Sequence, residues 1–206
     1  MTIEADYLIR YASNRNLAQV QRHLSMGIGV NSKDQFQCTA LIAAGQCNHV
    51  DIVRELLAMN ADVDSADIYG NTALLGATYK GNVDVVKALI DGKADVNKRN
   101  RSEETALIIA CTFNDDADIT KLLLDASTNV DAQDEVGMTA LMFACKNERV
   151  VQARLLLKYG AGVSIKCHRG RTALEYATNQ GNQGIIQALK DVSNSNSTPA
   201  PLFHIE

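Results

Sequence analysis

A chain of 206 residues with 46% hydrophobic side chains, no Trp and a net charge of −4 excludes several classes at once. The charge is wrong for a general nucleic-acid binder, which presents a basic face to phosphates, and no run approaches the ~18 apolar residues of a membrane span. Met1 to Tyr11 carries acids and no signal-peptide apolar stretch. Five cysteines, an odd number without a disulfide framework, fit a reducing compartment and point to the cytoplasm.

Along the chain, the first segment (residues 5–36) places Leu8, Ala12, Val20, Leu24 and Val30 at spacings that later segments repeat. Thr39-Ala40-Leu41 then recurs as Thr72-Ala73-Leu74, Thr105-Ala106-Leu107, Thr139-Ala140-Leu141 and Thr172-Ala173-Leu174, in steps of 33, 33, 34 and 33 residues. A fixed period of this length decides the architecture before any single motif is weighed. Each Thr suits a helix start, where its hydroxyl accepts from an orphan backbone donor. Small or apolar residues follow, then a turn such as Lys80-Gly81-Asn82, then a second helical run with Val83, Val85, Val86, Ala88, Leu89 and Ile90 on one face. An extended connection closes each period. In it Asp34, Asp67, Asn100 and Asp134 are placed to bond their own following backbone, and Gly70, Gly137 and Gly170 lie just past the tip. The expectation is an all-α repeat solenoid of stacked helix-turn-helix units with hairpin-like β-turn fingers.

These units resemble ankyrin repeats. The family's T-P-L-H-x-A start and G-A-D-V-N end are echoed in Thr72-Ala73-Leu74 through Ala77 and in Lys93-Ala94-Asp95-Val96-Asn97. The resemblance covers residues 6–190 or so. It implies one domain over 1–190, with units near 5–36, 37–69, 70–102, 103–136, 137–169 and 170–190, the first degenerate. Departures carry information. The family Pro is Ala throughout, and its His is Ile42, Leu75, Ile108, Met142 and Glu175, the first four of which are expected to pack against adjacent units. At the close of the second helix Gly27 and Gly160 keep the family glycine and Asn60 tolerates a left-handed backbone, but Lys93 and Ser127 do so at a cost. The third and fourth units are therefore expected to have the least regular helix ends. Glu148 replaces a turn glycine, and Asp115-Asp116 lengthens the corresponding turn by one residue.

Polar residues mark both ends of the array: Arg10, Gln19 and His23 first, Glu175, Gln183, Gln187 and Lys190 last. They lead to the expectation of a complete array. Residues 191–206 form a Ser/Asn-rich, Pro-containing tail whose Leu202 and Phe203 could dock on a partner or on a second copy.

No catalytic, cofactor-binding or metal-binding constellation emerges. Cys111 and Cys145 read as small core filler, while Cys38, Cys47 and Cys167 fall on fingers or turns and are expected to be more exposed. His49 takes a position where the family often has His, a structural role. Cys167-His168 are neighbours whose side chains point opposite ways in an extended segment. Leu89 with Asp95-Val96-Asn97 resembles the sequence that asparaginyl hydroxylases act on in ankyrin folds, and it is also the family consensus. The expectation is a non-enzyme without cofactors.

The resemblance implies a protein or peptide partner held on a concave face of finger tips and first helices. Mapped onto this sequence, the candidate contacts are Phe36, Ile68, Tyr69, Tyr79, Lys80, Arg101, Phe113, Glu135, Val136, Met138, His168 and Arg169. The aromatics stand at positions that need no core residue, and interfaces are enriched in them. Charge is banded along the fingers, basic at Lys98-Arg99-Arg101 and Lys166-His168-Arg169-Arg171, acidic at Asp64-Asp67 and Asp131-Asp134-Glu135. The expected role is an adaptor or scaffold without specific nucleic-acid or membrane partners. The alternatives are a self-associating or autoinhibited structural protein using its tail, or a regulatory subunit of an enzyme. The Thr-Ala-Leu starts are similar to ankyrin units common in bacterial proteins, which makes a secreted effector acting in a host cytosol the alternative location.

Overall fold

The computed structural model describes residues 3–195, and the expectation about Leu202 and Phe203 lies outside them. Among the described residues there are twelve helices and no strand. In chain order they are α1 (Ile3–Ser13), α2 (Leu17–Ser25), α3 (Ala40–Gln46), α4 (Val50–Ala58), α5 (Ala73–Tyr79), α6 (Val83–Asp91), α7 (Ala106–Phe113), α8 (Asp118–Asp125), α9 (Ala140–Lys146), α10 (Val150–Lys158), α11 (Ala173–Gln180) and α12 (Gln183–Ser195). Odd-numbered helices pack on one another in one layer and even-numbered helices in a second, so the molecule is a two-layer all-α solenoid.

The recurrent Thr residues do what their position demands. Thr39, Thr72, Thr105, Thr139 and Thr172 cap the odd helices by accepting from the backbone N–H three residues on, at 3.3 to 3.5 Å. Thr172 and Glu175 complete a reciprocal capping box. Ile42, Leu75, Ile108 and Met142, standing where the related units carry His, are buried between layers. His49 has the expected structural role, donating through Nε2 to the Ser13 carbonyl at 2.9 Å. Asn82, Asn147 and Gln180 likewise donate to carbonyls at the end of the preceding odd helix.

Left-handed backbone recurs in register. After α4, α6 and α10 it falls on Asn60, Lys93 and Gly160, with φ of 59°, 69° and 84°. Lys93 sits in an end as regular as its Gly160 counterpart: Lys93 N–H reaches Ile90 O and Ala94 N–H reaches Leu89 O, as Gly160 and Ala161 reach Leu157 and Leu156. The expectation of irregularity therefore fails for that helix pair, because the packed layers impose the cap whatever residue fills it. At Ser127, with φ of 61°, only the inner of the two bonds forms among the described residues. In the α7–α8 turn, where the extra residue lies, Asn114 is extended and no residue is left-handed. Gln152 of α10, almost fully buried, closes that turn instead by donating to Asn114 O at 3.0 Å, Asp116 O at 3.3 Å and Ala110 O at 3.4 Å.

Candidate protein-binding surface

Each finger is built by one side chain. Asp34, Asp67, Asn100 and Asp134 each accept through Oδ1 from the backbone N–H two and four residues on, at 2.7 to 3.0 Å. A backbone bond from the same residue closes every hairpin, Asp67 N–H to Asn71 O for example. The fingers are then strung together: Ile68 N–H to Phe36 O, Arg101 N–H to Tyr69 O, Glu135 N–H to Ser102 O and His168 N–H to Val136 O, all at 2.9 to 3.1 Å. A second row ties unit to unit nearer the even helices, where Asn31, Asp64, Asn97 and Asp131 accept from Asp62, Asp95, Asn129 and Gly162 N–H. Four of the five acids in the two acidic finger bands (Asp64, Asp67, Asp131 and Asp134) are thus internal fasteners. Among the acids of those bands Glu135 alone stands exposed at a tip.

The fifth finger breaks the pattern. Cys167 occupies the register of Asp134, and its N–H still reaches Arg171 O. The thiol is buried, not exposed as a turn position suggested, and lies 3.5 Å from the Tyr176 hydroxyl. Burial pushes this thiol up, but the Tyr176 hydroxyl, the N–H groups of Arg171 and Arg169 and the Arg171 charge together carry it below its ordinary value. The fifth finger thus keeps the backbone closure of the hairpin without the carboxylate cap of the others. Cys38 is half-buried and pushed up to about 11 by burial and by the Asp34 and Asp67 charges.

Of the cavities between the fingers and the odd helices, two take in candidate residues. The first, about 360 Å³, is lined by Tyr79 of α5 and Lys80 just after it, Ile109 and Phe113 of α7, Gln46, and the finger residues Asn71, Asn100 and Glu104. Its aromatic wall is a single feature, since Tyr79 and Phe113 meet edge-to-face with centroids 4.8 Å apart, and Lys80 Nζ lies 5.6 Å from the Tyr79 ring. Both rings are about half exposed, at 50% and 49%. The second, about 340 Å³, is lined by Val136, Met138, Lys146, Cys167, His168, Arg169, Arg171 and Tyr176.

The candidate residues divide accordingly. Tyr79, Lys80 and Phe113 come together at the first cavity, and Val136, His168 and Arg169 at the second. Phe36, Tyr69, Arg101 and Glu135 stand exposed on successive tips, with no ring contact joining Phe36 or Tyr69 to the Tyr79–Phe113 pair among the described residues. Ile68 is half-buried under the ladder. Met138 is only 6% exposed and belongs to the core cluster, so it reaches the surface only as part of the second cavity's lining. Sequence reasoning missed the column four residues after each Thr, namely Ala43, Gly76, Ile109, Phe143 and Tyr176, which is small in the first two full units and large in the last three. Gly76 and Ile109 line the first cavity and Tyr176 the second. The contrast was present in the sequence, but the first four positions read as core.

Among the described residues no cluster of His, Cys, Asp and Glu could hold a metal ion, and no helix is long and apolar enough to cross a membrane. No curated protein matches the chain. The family described as ankyrin repeats (3 copies) matches three overlapping stretches, residues 8–100, 77–166 and 107–198. With its period, capped helices and laddered fingers lying under that match, the chain belongs to the ankyrin-repeat family.

Proposed function

We propose that the protein is a cytoplasmic adaptor or scaffold that holds a protein or peptide on the concave face made by its finger tips and odd helices. Ankyrin repeats are generally protein–protein interaction modules, typically non-catalytic. The observation that carries the reading is the half-exposed Tyr79–Phe113 pair walling the first cavity. Two aromatics in contact, neither needed by the core, form the kind of anchor on which interface energy concentrates. Phe36, Ile68, Tyr69, Lys80 and Arg101 surround this centre, and Glu135, Val136, His168 and Arg169 extend the surface toward the last units.

The test is affinity capture from a lysate of the source or its host. Wild-type protein is compared with a Tyr79→Ala/Phe113→Ala variant whose circular dichroism and melting show it folded. A protein held by the wild type and lost by the variant supports the reading. Equal capture by both moves the site off this face.

A further inference from the structure

The second cavity differs in chemistry from the first, and no carboxylate among the described residues forms an ion pair with its charges, although Lys146 Nζ lies 5.9 Å from the Phe143 ring. Lys146, His168, Arg169 and Arg171 rim it, all exposed. Ion pairs among the described residues join Arg15 to Asp51, Arg99 to Glu103, Lys121 to Asp125 and Arg149 to Asp115, so none of the four rim residues takes part in one. Two nearby acids are committed elsewhere, and exposed Glu148 is not among the residues that line the cavity. Asp134 holds the backbone N–H groups of Val136 and Met138, and Glu175 holds that of Thr172 at 2.6 Å. Exposed Glu135 is not among the residues that line the cavity. The floor is apolar, made by buried Met138 and Cys167 with the half-buried ring of Tyr176. A cationic rim over an apolar floor is complementary to an apolar side chain flanked by carboxylates.

We propose that this cavity binds an acidic segment of a partner protein, an apolar residue flanked by Asp or Glu, and that the same segment continues to the Tyr79–Phe113 cavity. The proposal rests on the reading of this face as the binding surface. The two cavities lie between α5 and α7 and between α9 and α11, two helix spacings apart. At 8–10 Å per packed helix pair that is roughly 16–20 Å. About five or six extended residues span it. A partner segment therefore carries its apolar anchor and its acidic cluster at that separation. A nucleic acid fits less well, because a −4 chain with one local basic rim offers few phosphate contacts.

The probe is a fluorescein-labelled peptide, Leu-Gly-Ser-Gly-Glu-Glu-Leu-Glu-Glu, titrated by anisotropy at low salt beside its all-Gln counterpart and a single-stranded RNA oligonucleotide. The acidic peptide should bind the wild type at least tenfold tighter than the Gln peptide. Arg169→Glu/Arg171→Glu should weaken it tenfold or more. Lys87→Glu/Lys158→Glu, the same change in net charge on exposed positions of α6 and α10, should leave it within about twofold. Equal binding of the Gln peptide, an equal loss in the α6/α10 variant, displacement by the RNA, or a Kd above about 1 mM overturns the proposal. The outcomes separate from those of the capture experiment. A partner lost by the Tyr79→Ala/Phe113→Ala variant while the acidic peptide fails refutes only the acidic segment. Capture unaffected by that variant refutes the parent reading.

Discussion

Lys93 and Ser127 occupy a left-handed cap position that Gly160 fills without strain, and replacing each by glycine should stabilise the protein. Their φ values are 69° and 61°, against 84° for Gly160. A side chain at such a position costs about 1–2 kcal/mol, which glycine avoids. Glycine returns part of that, about 0.4–1 kcal/mol, through the greater freedom of the unfolded chain. The net gain is about 0.5–1 kcal/mol per site, or roughly 1–4 °C in melting temperature for a chain of this size. Neither side chain offsets this, since both are exposed and neither is in an ion pair among the described residues. They belong to different helix pairs, so the double variant should show about the sum. The reverse change supplies the control: a Cβ at Gly160 meets nothing within 4 Å, so Gly160→Ala introduces backbone strain alone. It should lower stability by a similar amount. Thermal melts and urea midpoints read all four proteins. If Lys93→Gly lowers the melting temperature while Gly160→Ala leaves it unchanged, the reasoning from φ is refuted.

Cys167→Asp should supply the finger cap seen at Asp34, Asp67 and Asp134 and raise stability by about 0.5–1.5 kcal/mol, and a lower melting temperature would refute the equivalence of position 167 with those caps. Gln152→Leu removes the donor that closes the α7–α8 turn and should cost about 1–3 kcal/mol by urea denaturation; a change within 0.5 kcal/mol, about what a surface substitution gives, would show the turn to be self-supporting. Burial pushes the thiols of Cys111 and Cys145 up to about 12 from an ordinary 9.0. A folded-state value above the unfolded one favours the neutral thiol, so this stabilisation is complete below pH 9.0 and is lost as pH rises toward 12. The melting temperature of the wild type should therefore fall more steeply over that range than that of Cys111→Ala/Cys145→Ala, and parallel profiles would refute the assignment.

What the sequence made legible were positions where every unit faces the same local demand. A Thr before an apolar run must satisfy an orphan N–H, and the Asx three residues into each connection can reach two more, so both roles are local enough to be read from one repeat. The left-handed caps belong here too, since geometry set by packing recurs even where Lys93 or Ser127 replaces glycine. The helix layers, the finger caps and the burial of Ile42, Leu75, Ile108 and Met142 all followed from such demands.

What stayed illegible depends on a neighbouring unit. Gln152 reads as a helix-surface glutamine, yet it is buried because the preceding pair has one residue too many in its turn and exposes carbonyls that must be met. Met138 reads as a finger residue open to a partner, yet it packs into the core cluster while its counterparts Asn71, Glu104 and Arg171, all polar, do not. The charges show the same dependence. Asp67 and Arg101 look equally available on adjacent fingers, but two short backbone contacts commit the Asp67 carboxylate to its own turn, while Arg101 uses only its backbone in the ladder and leaves its side chain exposed. The acidic bands thus become fasteners, whereas of the basic bands only the Arg99 side chain is bonded across fingers among the described residues, and Arg101, His168, Arg169 and Arg171 keep exposed side chains. The charge left open at the last fingers is basic, which is what the proposed acidic segment would meet there.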